Sequence, residues 1–186
     1  MASVNTKRNN NTEANDLYST PLVALQSFYN QYPEVFDRYD VYYDPCNGLG
    51  VIADFLRDLG KTVHTGDLID YSVAGTVIED FLEVTEVPEG TECIIFNPPF
   101  KLTREFVNNA LQLCPNLIMF NRLTTLETSR AELFNSGEWS LDCAYIFGFR
   151  VSCPEGIEMK PTANSVAYAW YVFNKDAHCS KLRWIV

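Results

Sequence analysis

The stretch Asn97-Pro98-Pro99-Phe100 has the most sharply defined chemistry in this sequence. It follows the apolar run Cys93-Ile94-Ile95-Phe96, so the two prolines end a buried strand where its ladder cannot continue. An amine conjugated to a ring, as in adenine, is a poor nucleophile because its lone pair is delocalised. A hydrogen-bond acceptor on each N–H draws the nitrogen toward tetrahedral geometry and localises that pair. The Asn97 side-chain oxygen and the Pro98 carbonyl can supply the two acceptors. The prolines hold the carbonyl rigidly, so little reorganisation accompanies the developing charge. Phe100 adds a flat face on which an extruded base can stack, a contact worth about 1–3 kcal/mol in nucleic-acid sites. Displacement at an electrophilic methyl then needs alignment more than a strong base.

A second constellation, Asp44-Pro45-Cys46-Asn47-Gly48-Leu49-Gly50, lies between an apolar strand and a helical pattern. This is the crevice where open α/β sheets bind nucleotides. Gly48 and Gly50 permit close approach of a ligand to the backbone, and the helix that begins at Gly50 offers unpaired N–H groups to a carboxylate. Asp44 at the strand tip can pair with an ammonium. A ligand bearing both groups, such as the methionine end of S-adenosylmethionine, fits this arrangement, although a glycine-bearing turn alone is a weak signal. Asp67 ends the next strand, where an acidic side chain can accept two ribose hydroxyls; Asp70 competes for that role. Asp80, expected to end a short third strand, can accept from an adenine amine, with Phe81 supplying an amide and an apolar wall.

The elements that must position these groups can be read from periodicity. Residues 1–15 are polar and Asn-rich and are expected to form a flexible arm. Thr20 to Tyr32 predicts a helix, with Thr20 as cap and Pro21 in its first turn. The run from Val41 leads as a strand into the glycine turn, and a helix follows over Val51–Leu59. Strands are expected over Lys61–Leu68, Thr76–Leu82, Glu92–Asn97 and Leu117–Phe120, with helices over Leu102–Cys114 and Thr128–Gly137, and Asp44 and Asn97 are expected at the carboxyl ends of neighbouring strands. Two further strands, DCAYIFGF and SVAYAWYVF, have no helix between them and should form an antiparallel hairpin. Alternating strands and helices predict an α/β fold, a doubly wound, seven-stranded, mostly parallel sheet closed by that C-terminal hairpin, with residues 16–186 as a single domain.

Bulk composition narrows the function classes. The chain of 186 residues is 47% hydrophobic, enough for a sizeable core and against global disorder. No apolar run reaches the length of a membrane span, and the N-terminus lacks a secretory pattern. Six cysteines without a CxxC pair, and only two histidines, give neither a zinc site nor a disulfide framework; a reducing, cytoplasmic setting is expected. The net charge of −10 runs against the basic footprint usual for nucleic-acid binders, so such binding requires the few cations to cluster at the site.

DPCNGLG followed by NPPF resembles the amino-methyltransferase group of the class I S-adenosylmethionine-dependent methyltransferases. DLYSTP, containing Tyr18 and Thr20, is similar to the segment that closes over the methionine moiety in adenine methyltransferases. The likeness covers residues 16–186 and is nearest to small, stand-alone DNA adenine methyltransferase-like proteins of bacteriophages. It implies a Rossmann-like fold, with S-adenosyl-L-methionine held by Tyr18, Thr20, Asp44, Pro45, Gly48, Gly50, Asp67, Asp80 and Phe81. Asn97, Pro98, Pro99 and Phe100 would hold the target base. Asn47 departs from the pattern, standing where a small residue or cysteine is more usual. Lys101, Arg104, Arg122, Arg130 and Arg150 are the cations near these motifs and the candidates for substrate phosphates, though for each alone solvated surface charge is the better explanation. Large sequence-specific members carry a separate target-recognition domain. Here only the segment from Arg150 to Ser165 is long enough to act as a substrate loop, so a second copy or an accessory protein is a candidate source of target recognition. The same motifs serve methylation of adenine in DNA, of RNA or of a protein glutamine. A non-catalytic cofactor-binding subunit is the remaining alternative, disfavoured by the intact NPPF.

Overall fold

The computed structural model describes residues 17–127, 130–154, 156–158, 166–177 and 179–186. The expected arm of residues 1–15 lies outside them, as does most of the stretch from residue 155 to Ser165.

Eight strands form one sheet: β1 (Val41–Asp44), β2 (Thr62–Asp67), β3 (Thr76–Ile78), β4 (Cys93–Phe96), β5 (Asn116–Arg122), β6 (Leu141–Phe147), β7 (Tyr168–Asn174) and β8 (Lys181–Ile185). Their order is β3-β2-β1-β4-β5-β7-β6-β8. β1 to β5 pair in parallel, β7 runs antiparallel between β5 and β6, and β8 pairs in parallel with β6. The hairpin of β6 and β7 matches expectation, but the expected count of seven strands is one too few. The extra strand, Lys-Leu-Arg-Trp-Ile, sits at the sheet edge with most of its side chains exposed. It lacks the continuous apolar run that marks the central strands.

Among the described residues, five helices cover the sheet: α1 (Leu22–Gln31), α2 (Pro33–Asp37), α3 (Val51–Asp58), α4 (Thr103–Leu113) and α5 (Ala131–Asn135). The predicted first helix is shorter than Thr20 to Tyr32. Pro21 is its N-cap, Thr20 makes no capping contact, and Tyr32 leads into α2, whose first residue is Pro33. A proline is tolerated only at the start of a helix, so Pro33 restarts the chain and does not extend α1. Asp80 does not end a strand: β3 stops at Ile78, and the Asp80 carboxylate caps a single 3-10 turn over Phe81–Glu83. Among the described residues, no helix is long and apolar enough to cross a membrane.

The period-two alternation of a strand sends successive side chains to opposite faces. Tyr42, Cys93, Ile95, Ile118, Phe120 and Trp170 pack with α1, α2 and α3 on one face. Tyr43, Ile94, Phe96, Leu117, Met119 and Tyr171 pack with α4 and α5 on the other. Both faces of the central strands are therefore dry, and ligands can approach only at the strand ends. Phe28 is the hub of the first layer. It is fully buried and its ring centroid lies 4.6 Å from that of Tyr145, 5.0 Å from Phe36 and 5.5 Å from Trp170. The Trp170 indole N–H donates to the Ala24 carbonyl on the same helix as Phe28, 3.2 Å away. Phe28→Ala should lower the free energy of unfolding by about 3–5 kcal/mol, the usual cost of emptying a buried aromatic site. Urea denaturation measures this, and a loss below about 1 kcal/mol would remove Phe28 from the centre of the packing.

Candidate active site

β1 and β4 are parallel neighbours, with Tyr43 opposite Ile94. Asp44 at the end of β1 and Asn97 just past β4 therefore emerge at the same sheet edge, as the sequence predicts. A cavity of about 350 Å³ opens there. It is lined by Pro45 and Gly48 of the glycine turn, by Asp67, Asp80 and Phe81, by Tyr18 and Thr20, and by the whole run Asn97 to Lys101. Residues from five separate stretches of the sequence thus meet around one space. Among the described residues, Gly50, Asp70, Arg104, Arg122, Arg130 and Arg150 do not line it.

The Asn97 amide has an unambiguous orientation. Its Nδ2 donates to the Tyr18 carbonyl at 2.6 Å, and a carbonyl only accepts. Its Oδ1 is buried and has no hydrogen-bond partner. Pro98 is buried, and Pro99 leads into a 3-10 turn over Phe100–Leu102. The turn is anchored from below. The Thr103 hydroxyl donates to the Phe100 carbonyl at 3.0 Å and itself accepts from the Asn121 amide at 3.0 Å. Tyr18 packs beside Phe100, ring centroids 5.2 Å apart.

In the glycine turn Gly48 has φ +51° and Gly50 φ +83°, left-handed values that favour glycine. A Cβ on Gly48 would sit 3.3 Å from the Leu17 side chain, so the residues before Tyr18 press directly on the turn. The Gly48 N–H donates to Asp67 Oδ2 at 2.7 Å and the Ile69 N–H to Oδ1 at 3.0 Å. Asp67 is thereby fixed in the cavity wall. Asp70 is exposed, its carboxylate capping its own turn at the Ser72 N–H. Burial raises the Asp67 carboxyl above its ordinary range, opposed by those backbone hydrogen bonds. Asp80 reaches the cavity with one oxygen accepting from the Leu82 N–H at 3.0 Å.

Asp44 lies behind the wall and not in it. It is 0% exposed, Oδ1 accepts from the Cys46 N–H at 3.0 Å, and Oδ2 is buried without a partner. Asn47, the departure from the family pattern, is also buried. Its Nδ2 donates to the Thr76 hydroxyl at 2.7 Å, tying the turn to β3, and its Oδ1 has no partner. Of the five cations, Lys101 is exposed at the cavity rim, and Arg104 and Arg150 are exposed elsewhere. Arg122 lies against Phe100, and Arg130 precedes α5 with a buried, unpartnered Nη1.

Some lining residues carried no signal in the motifs. Leu17, Ile69, Tyr71 and Phe106 supply apolar wall. Their position beside Tyr18 and Asp67 in sequence is the only hint available for three of them, and Phe106 reads simply as core. Gly66 is a further case. A Cβ there would lie 3.0 Å from the Tyr43 hydroxyl, which donates to Glu79 at 2.9 Å, so the residue before Asp67 must be small for β2 to pass.

Burial, with the neighbouring Asp67 charge adding to it and the Cys46 N–H opposing it, pushes the Asp44 carboxyl up to about 8. A free carboxyl titrates near 3.9. The folded state thus holds this proton more tightly than the unfolded chain. The stabilising contribution is complete below about pH 4 and is lost as pH rises through about 8. Ligand-free protein should therefore lose stability between these values, by at most about 1.4 kcal/mol per pH unit from this group. Asp44→Asn should flatten that slope in urea denaturation run across the range. An unchanged slope would show that Asp44 is ionised throughout.

No protein-family model and no curated protein matches the sequence. Solved structures resemble the chain in three dimensions. A candidate RNA methyltransferase from Pyrococcus horikoshii superposes with a TM-score of 0.61 at 15% identity, over 87% of this chain and 88% of that one. A candidate class I S-adenosylmethionine-dependent methyltransferase from Listeria monocytogenes gives 0.61 at 12% identity, over 91% and 66%. An S-adenosylmethionine-dependent O-methyltransferase from Thermotoga maritima gives 0.52 at 10% identity, over 91% and 69%. At such identities the likeness is one of fold. With its strand order, antiparallel β7 and crevice at the ends of β1 and β4, the chain has the Rossmann-like fold of the class I methyltransferases.

Proposed function

We propose that this chain is an S-adenosylmethionine-dependent methyltransferase acting on the exocyclic amine of adenine in DNA. The observation that carries the proposal is the Asn97 amide: clamped by the Tyr18 carbonyl, it leaves a buried, unpartnered oxygen at the cavity that also holds the glycine turn.

The residues fit the cofactor. Gly48 and the start of α3 offer close backbone approach and unpaired N–H groups for a carboxylate. Asp44, behind the wall, holds the glycine turn through the Cys46 N–H, and Asp67, already fixed by Gly48 and Ile69, has lone pairs left for ribose hydroxyls. Asp80 and Phe81, with the apolar wall of Ile69 and Phe106, suit an adenine ring. When bound, the cofactor supplies a sulfonium methyl as electrophile.

The chain's own groups do the rest. Asn97 Oδ1 and the Pro98 carbonyl accept from the two N–H bonds of the target amine, localising its lone pair as the nitrogen becomes tetrahedral. Because these contacts strengthen along the reaction, they stabilise the transition state more than the ground state. No strong base is required, since the amine proton becomes acidic only after the new bond forms. Phe100 receives the extruded base by stacking. Nucleic acid as substrate is supported by this planar, aromatic-faced geometry, and the similar Pyrococcus structure is described as a candidate RNA methyltransferase. The specific choice of DNA rests on the resemblance of the motifs.

Asn97→Ala should lower turnover at least about 100-fold, the scale for losing a preorganised contact at developing charge, while cofactor affinity barely moves. Asp67→Ala should do the reverse, weakening cofactor binding by about 1–3 kcal/mol. Transfer of labelled methyl to DNA, RNA and protein, with nucleoside analysis and calorimetric titration of the cofactor, measures both. Methylation of RNA or protein alone would retain the chemistry and overturn the DNA assignment; full activity of Asn97→Ala would overturn the mechanism.

A further inference from the structure

Arg122 ends β5, the strand beside β4, and its guanidinium carbon lies 4.1 Å from the Phe100 ring centroid. The Tyr18 centroid is 5.2 Å from that of Phe100 and 6.0 Å from the same guanidinium carbon. If Tyr18 and Arg122 covered opposite faces of Phe100, their separation would approach the sum of the other two distances. It is far shorter, so Tyr18 flanks the rim and one face of Phe100 is clear of both. Tyr168 lies directly across from Arg122 in the β5–β7 register, its ring centroid 6.1 Å from that of Phe100.

The stack is built in from the backbone. The Arg122 N–H donates to Asn121 Oδ1 at 2.7 Å, the Asn121 amide donates to Thr103 Oγ1, and the Thr103 hydroxyl donates to the Phe100 carbonyl. Asn121 and Thr103 are both buried. The Tyr171 hydroxyl donates to the Arg122 carbonyl at 2.9 Å. Arg122 and Phe100 are thus joined by a chain of hydrogen bonds independent of their side-chain contact. Among the described residues no carboxylate pairs with Arg122. A planar, weakly hydrated guanidinium over a ring face is favoured by the ring quadrupole, more so when desolvated.

We infer that Arg122 is a positioning residue that backs the Phe100 ring as a stacking platform for the target base, its charge directed at the ring and not at a substrate phosphate. This rests on the proposal that Phe100 receives the base. The cation draws the ring's π density toward itself and leaves the opposite face electron-poorer, a complement to an electron-rich aminopurine. The loaded site is a sandwich of cation, ring and base.

The test compares wild type, Phe100→Ala, Arg122→Lys, Arg122→Met and the Phe100→Ala/Arg122→Met double variant in methyl transfer to oligonucleotides over a range of salt. Arg122→Met keeps bulk over the ring and removes the charge, and calorimetric cofactor binding checks that each variant is folded. The expected result for Arg122→Met is a rise in KM for the oligonucleotide of roughly 3- to 30-fold, the scale of a cation–π contact, with kcat little changed. Arg122→Lys should recover part of it. The slope of log KM against log salt should be that of wild type, and Arg122→Met should add nothing once Phe100 is alanine. A salt slope reduced by about one in Arg122→Met would identify a phosphate contact and overturn the inference, as would full additivity of the two substitutions. If wild type methylates RNA and not DNA, the DNA assignment fails and the same comparison is made on RNA. If it methylates no nucleic acid, both fall together.

Discussion

The hydrogen bond from Asn97 Nδ2 to the Tyr18 carbonyl, 2.6 Å long and spanning 79 residues of sequence, is the constraint on which the site depends. An amide side chain has a donating end and an accepting end of nearly equal shape, and only its surroundings decide which faces a ligand. A carbonyl partner decides it completely. The same bond pins residues 17–20 across the cavity, where Leu17 presses on Gly48 and Tyr18 packs beside Phe100. That segment is held in turn by Ser19 N–H to the Pro154 carbonyl at 3.0 Å and by Gly156 N–H to the Leu17 carbonyl at 2.8 Å. The proposed methyl-donor wall, the proposed acceptor amide and the beginning of the candidate substrate loop therefore form one hydrogen-bonded unit.

Polar atoms buried without partners cost about 1–3 kcal/mol each, so folded proteins tolerate few. Those found among the described residues are not scattered. Asp44 Oδ2, Asn47 Oδ1, Asn97 Oδ1 and Arg122 Nε all stand at the carboxyl ends of β1, β4 and β5, with Arg130 Nη1 the exception. The rest of the sheet is dry and well paired on both faces. Unsatisfied polar atoms gathered at one edge of a satisfied fold are where the proposed ligand would complete the structure. Asn97 Oδ1 can only accept, which suits the aromatic amine of the proposed substrate.

Much of this was legible in the sequence because the signals were local. The apolar run ending in Asn97-Pro98-Pro99, the Gly48 and Gly50 turn and the period of α3 each report on a few adjacent residues, and they placed Asp44 and Asn97 on neighbouring strands. What escaped was set by distant partners. β8 is stabilised by an edge that β6 presents, with little burial of its own, so alternation of Lys181, Leu182, Arg183 and Trp184 gave no run to recognise. Asp67 and Asp70 were indistinguishable by spacing; only the Gly48 N–H, from another strand's turn, separates them. Arg122 looked like any surface cation because nothing in its neighbours reveals Phe100 lying over it.

The acidic balance of the chain bears on how a nucleic acid could be held at all. Phosphate contacts supply most of the affinity in many nucleic-acid complexes, and each releases counterions and steepens the salt dependence. With a net charge of −10, and with Lys101 the one of the five candidate cations that lines the cavity, that route is weak here. An Arg122 turned inward onto Phe100 weakens it further, but it strengthens the alternative, which is capture of the base itself. In the proposed site, stacking on a polarised ring, with both amine protons accepted by Asn97 and Pro98, would concentrate recognition on one extruded nucleotide. Such a site discriminates by the shape and amine of the base more than by the backbone that carries it. On that proposal, the site would select the acceptor's amine more closely than the polymer that carries it.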